Sequence, residues 1–113
     1  MNPQPATDRE PDAVWPSFAG EWIGRYPGHF DETVLIRQSG SALEAVKITG
    51  DEHVPAGEIT WRADLRTLRG EGQVADREFH RPRFIPGRLE ILGLDLLAFH
   101  WEAVGSVEFR RDD

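Results

Sequence analysis

Cysteine is missing from these 113 residues, and lysine occurs once, at Lys47. Without cysteine there is neither a disulfide framework nor a thiolate metal site, and the absence fits a reducing compartment. No apolar run approaches the roughly 20 residues of a membrane-spanning helix. Residues 1–16 carry no apolar stretch of the signal-peptide kind, so the cytoplasm is the expected location and a membrane is not an expected partner. Basic residues are scarce as well: thirteen Lys and Arg face twenty Asp and Glu, for a net charge of −7. Phosphate-directed binding needs a basic excess, so nucleic acid is not an expected partner either. The one local concentration of cations is Arg77, Arg81, Arg83 and Arg88. No nucleophile motif, phosphate loop or cofactor fingerprint is visible, so neither enzymatic activity nor a cofactor is expected.

Helical stripes are missing too. The best candidate, Trp61–Arg69, alternates with period two and stops at Gly70. What fills the chain instead is short β-type segments between Gly, Pro and Asp clusters. Residues 1–14, with Pro3, Pro5 and Pro11, hold too little apolar surface to offset the entropy of ordering. They read as a disordered tail, followed by one domain over 15–113. Eight strands are expected: Phe18–Tyr26, Thr33–Gln38, Ala42–Thr49, Glu58–Leu65, Gly70–Asp76, Arg88–Leu92, Leu96–Trp101 and Ser106–Arg111. In the fourth, Ile59, Trp61, Ala63 and Leu65 share one face, the alternation of a half-buried strand. Eight strands in sequence can close on themselves and remove their edges. The expected fold is therefore all-β, an eight-stranded antiparallel up-and-down barrel, with a β-sandwich as the alternative.

Such a meander places alternate loops at one end. Loops 27–32, 50–57, 77–87 and 102–105 then share a rim; three of them are long and rich in polar residues, Pro and Gly, and such elaborated loops are where binding residues usually sit. The other end has tight links near Ser39–Gly40, Arg66–Arg69 and Gly93–Asp95.

Gly20-x-Trp22 opens the first strand and arginines close the last. This resembles the lipocalin and calycin pattern, in which an Arg stacks on the Trp that closes the barrel floor. Arg110, or its neighbour Arg111, is positioned for that cation–π contact. The alternative is that Trp22 is ordinary core and the arginines are solvated.

The segment Lys47-Ile-Thr49-Gly50-Asp51-Glu-His53-Val-Pro55-Ala-Gly57 is more specific. It resembles the substrate-binding, D-type-cyclin-binding domain of certain F-box proteins, a domain similar to one in the plastid EXECUTER proteins. The family pattern is Lys-Ile/Val-Thr-Gly-Asp-x-Asn-Ile/Val-Pro-Ala-Gly, and His53 replaces its Asn. Gly24-x-Tyr26 with His29 and Glu32, Gly72 to Ala75 with Phe79, Pro82-Arg83 and Pro86-Gly87, and Leu97 to Trp101 also match family landmarks in order. The resemblance runs from about Phe18 to Arg111. It implies a β-barrel that captures the C-terminal tail of a protein partner. No F-box helices accompany it, so it implies capture without ligase recruitment.

The residue types suit a small polar terminus. Asp51 is able to accept from an amide or ammonium, Lys47 and Arg83 to pair with a carboxylate, and Thr49, His29 and Glu32 to add polar partners. Trp61, Phe79 and Trp101 are the expected apolar walls. Each has a plain reading too: Asp51 caps its own turn, Lys47 faces solvent, and the tryptophans are core. The expected function is a non-catalytic module binding a protein or peptide C-terminus, or a small polar ligand, at one rim; the oligomeric state stays open. The alternatives are a calycin-like carrier of a small apolar molecule and, behind it, a metal-assisted hydrolase using His29, Glu32 and Asp51. No tight metal-ligand spacing supports the last, and no metal is expected.

Overall fold

The computed structural model describes residues 15–26 and 31–112. The expected tail and His29 lie outside them. Eight strands follow one another: β1 (Gly20–Arg25), β2 (Glu32–Ser39), β3 (Ala42–Lys47), β4 (Ile59–Asp64), β5 (Arg69–Asp76), β6 (His80–Ile91), β7 (Leu96–Trp101) and β8 (Gly105–Arg111). Every strand pairs antiparallel with the next, and β8 returns to β1 through Trp22↔Arg111 to Arg25↔Glu108, closing the barrel. A sandwich is thereby excluded. Closure follows from the alternation: each strand has one apolar face, and only a closed sheet buries all eight while leaving no long edge.

The interior is a packed aromatic column. Trp22, Trp61, Phe99 and Phe109 are fully buried. Trp61 stacks on Phe99 at 5.1 Å and 7°, and tilts against Phe109 at 5.7 Å. Phe18 plugs the floor beside Trp22, whose Nε1 donates to the Phe18 carbonyl at 2.8 Å. Among the described residues this packing fills the centre of the barrel with side chains, where the carrier alternative needs an apolar chamber. Trp61, expected on a binding wall, belongs to this column.

The floor pattern is present, but through Arg111. Its guanidinium lies 4.6 Å from the Trp22 ring centroid and donates to the carbonyls of Ser17, Ala19 and Leu94. Arg110 is instead half-exposed, 3.9 Å from Asp31. The reason is parity: Arg111 pairs opposite Trp22, whereas Arg110 pairs opposite Ile23, so only Arg111 is level with the indole. Gly20 leads into the strand at φ +130, a conformation that favours glycine.

The largest departure lies in 77–87. The expected long loop is a tight connection, the 3-10 turn Arg77–Phe79, followed by a β6 that starts at His80. Pro82 and Pro86 argued against a strand there. They are accommodated because β6 pairs with β5 from His80 onward but with β7 only from Gly87. Before Gly87 the β7 side of β6 keeps only the bond from the Glu102 amide to the Pro86 carbonyl, and prolines can face it.

Candidate functional site

Three of the four rim connections, those after β3, β5 and β7, converge with Tyr26; residues 27–30 of the fourth lie outside the described residues. Asp51 Oδ1 accepts from the amides of His53 and Val54, both at 2.7 Å, and winds the β3–β4 loop around its own carboxylate. Gly50 is required there: a Cβ would lie 2.4 Å from the Ala56 nitrogen. Gly57 turns the chain back at φ +91. The loop is then tied to the β5–β6 turn. His53 Nδ1 meets the Ala75 carbonyl at 2.9 Å, the Glu78 amide donates to the Glu52 carbonyl at 2.7 Å, and Arg77 pairs with Glu52 at 2.9 Å.

Beneath the loop, the single lysine is buried. Lys47 is 2% exposed, and its Nζ lies 2.6 Å from Glu32 Oε1 and 2.7 Å from Asp51 Oδ2, with the Tyr26 ring 4.7 Å away. Three of the expected site residues thus meet in one cluster. The Lys47 ammonium occupies the space between Glu32 and Asp51, the two described residues of the hydrolase alternative. Among the described residues no three His, Asp or Glu side chains converge on a metal position. Burial alone would push the Asp51 carboxyl up. Hydrogen bonds from Lys47 and from the Val54 and His53 amides outweigh it and hold the carboxyl at about 2. Burial is also the main cause that raises the Tyr26 phenol well above its usual range, so the ring stays neutral.

Because the Asp51 pKa is depressed from 3.8, the carboxylate stabilises the fold above about pH 4, and that stabilisation is lost as pH falls through about 2. Acid titration followed by tryptophan fluorescence should show wild type losing stability between these values. Asp51→Asn should be less stable than wild type at neutral pH and should lose less over that interval. Parallel acid limbs would remove Asp51 from the account.

Above the cluster opens a cavity of about 730 Å³. Trp101, Val74, Ile85 and Val107 supply apolar wall. Tyr26, Lys47, Asp51, His53, Thr60 and Gln73 supply polar floor and side. Trp101 is pinned edge-on against Gly72, where a Cβ would approach its Nε1 to 2.1 Å, and that Nε1 donates to the Gln73 carbonyl at 3.3 Å. Only glycine at 72 lets this indole line the rim. Arg83 stands at the mouth, exposed, its Nη1 donating to the Arg81 carbonyl at 3.0 Å. Arg77 and Arg81 are paired with Glu52 and Asp76; Arg83 makes no salt bridge among the described residues, and its charge reaches Asp76 only at longer range.

Of the expected site residues, then, Lys47, Asp51, Arg83 and Trp101 line the cavity, and Glu32 supports it from behind through Lys47. Thr49 does not reach it. Its hydroxyl accepts from the Thr33 amide at 2.9 Å and extends the β2–β3 ladder. Phe79 does not line it either, since it sits in the 3-10 turn at φ 55. Trp61 is core. Residues 103–107, Gln73 and Ile85 were missed by the sequence reading. The β7–β8 connection was legible as a rim loop, but nothing in its composition marked it as wall.

Comparison with known proteins agrees with this geometry. Residues 3–69 and 64–111 match the family described as Cyclin D1 binding domain. Protein EXECUTER 2, chloroplastic, of Arabidopsis thaliana is 38% identical over 66 residues, covering 42% of this chain and 10% of that protein. The Oryza sativa subsp. japonica protein of the same name is 28% identical over 106 residues, covering 66% of this chain and 17% of that protein. Protein EXECUTER 1, chloroplastic, of Arabidopsis thaliana is 35% identical over 69 residues, 44% of this chain and 10% of that protein. The chain therefore spans only a small part of the length of these curated relatives. Their names also correct the cytoplasmic expectation, because they point to the plastid. The physical reason is that a cellular address is read by receptors, and barrel composition does not encode it. With the matched stretches running through all eight strands and the Thr-Gly-Asp loop folded over the rim, the chain belongs to the Cyclin D1 binding domain family.

Proposed function

We propose that the chain is a non-catalytic protein-interaction module that binds the C-terminal tail of a protein partner in the rim cavity. The observation that carries this reading is the pairing of a preformed, apolar-walled cavity with an exposed arginine at its mouth that makes no salt bridge among the described residues. Glu32 and Asp51 both engage the Lys47 ammonium, so that cation is not free to meet a ligand carboxylate. Arg83 is left to meet a carboxylate, and Trp101 with Ile85 to hold the adjoining apolar side chain. The family's description as a Cyclin D1 binding domain supports a protein as the partner. A small polar ligand of the same terminal chemistry would use the same groups.

The test is calorimetric titration with peptides of one sequence whose last group is a free carboxylate, a primary amide, or one further residue. At least tenfold discrimination among the three is expected, reduced in Arg83→Gln. Tight binding that ignores the terminal group overturns the reading.

A further inference from the structure

The rim cavity is not walled by sheet all round. On one side β6 runs on alone: residues 80–86 pair with β5, while the β7 ladder begins only at Gly87↔Trp101. Beyond that point β7 turns away through Glu102, Ala103 and Val104 into β8. A slot is left between the projecting edge of β6 and the β7–β8 turn, and it opens into the cavity, whose lining includes Arg83, Ile85 and Pro86 on one bank and residues 102–106 on the other.

Parity says which backbone groups face that slot. The Pro86 carbonyl accepts from the Glu102 amide at 3.0 Å, so Pro86 directs its backbone toward the β7 side. The Leu89 amide donates to the Leu68 carbonyl at 2.8 Å, so odd positions face β5. The β5–β6 register is unbroken from Arg88 to Arg83, and backbone direction alternates along a strand. Phe84 therefore presents its N–H and C=O to the slot, while Pro82, just beyond the unbroken register, has no N–H to offer. Exposed strand edges template further strands, and natural proteins blunt them with proline. Here proline stands on both sides of Phe84 and leaves that one edge amide open beside the cavity.

We propose that the partner enters as an extended strand added to this edge of β6, hydrogen-bonded to Phe84, with an acidic group held by Arg83. This rests on the rim-binding reading and specifies the conformation of its ligand. The occupant is argued from two features. The slot is continuous with the cavity, and the bank that carries the open amide also carries Arg83, which makes no salt bridge among the described residues. Alternate side chains of an added strand would point into the cavity, toward Ile85 and Trp101, and out to solvent, as in other strand-addition complexes. Val104, 66% exposed, offers the opposite bank an apolar contact.

The same parity supplies a clean variant. Because the Phe84 N–H points away from β5, Phe84→Pro removes the edge donor and blocks close approach of a new strand without touching the β5–β6 ladder. Phe84→Leu keeps the amide and, like the proline variant, loses the ring that lies 4.2 Å from the Arg62 guanidinium carbon. The probe is a randomised octapeptide pool with free C-terminal carboxylates, retained on immobilised protein and read by mass spectrometry. The best retained peptides are then titrated. Wild type and Phe84→Leu should bind alike, and Phe84→Pro about tenfold or more weakly at unchanged melting temperature. N-methylation along the peptide should weaken binding at every second position. Equal binding by wild type and Phe84→Pro overturns strand addition and leaves rim binding standing. A pool from which wild type retains nothing overturns both.

Discussion

Lys47→Met should cost the barrel roughly 3–5 kcal/mol, the usual penalty for removing one member of a buried ion pair. The cost is not the loss of an attractive contact alone. Glu32 is 6% exposed and would keep a carboxylate facing the low-dielectric interior with its cation gone. Asp51 would lose a 2.7 Å bond and with it part of the hold on the β3–β4 loop. Urea denaturation followed by tryptophan fluorescence measures the loss. The companion variant Glu32→Leu/Lys47→Met should recover most of it, since replacing both charges with apolar groups of similar volume is often near neutral. A single variant as stable as wild type would show that the cluster contributes nothing to folding. A double variant no better than the single would show that the penalty comes from packing rather than from stranded charge.

Trp61→Ala should cost a similar amount, about 3–5 kcal/mol, because it empties the centre of the aromatic column between Phe99 and Phe109. Trp61→Phe separates the two contributions of the indole. The ring face that stacks on Phe99 is kept, while Trp61 Nε1, which is buried without a hydrogen-bond partner, is removed. Leaving such a group unsatisfied costs about 1–3 kcal/mol, so its removal offsets much of the volume lost. Trp61→Phe should therefore unfold close to wild type in denaturant, with Trp61→Ala far below both. Similar midpoints for the alanine and phenylalanine variants would place the indole outside the core. Trp101 gives the contrast: it lines the cavity, and its truncation should weaken ligand capture more than it weakens the fold.

The barrel itself was legible because alternation, turn residues and strand spacing are local properties, and each recurs around the whole chain. The Thr-Gly-Asp loop was legible for the same reason. Asp51 caps the turn it sits in, and Gly50 is needed within that turn. The prolines of β6 misled, since a sequence carries proline's missing donor but not which edge of the strand lacks a neighbour. The choice between Arg110 and Arg111 was left open because a one-residue difference in register moves a side chain to the other face, and only the β1–β8 register decides it. Trp61 and Trp101 have the same composition signal, yet one is core and the other wall.

By itself, then, the sequence determined the all-β class, the order of strands and that the β3–β4 and β7–β8 connections share one end, because these depend on short-range periodicity and on how a meander must close. Only the tertiary structure decided that Lys47 is held from two directions, that Arg83 makes no salt bridge among the described residues and that β6 keeps an open edge. Those facts depend on cross-strand register and on partners 15 or more residues away in the chain, such as Glu32 beside Lys47 and Gln73 beside Trp101.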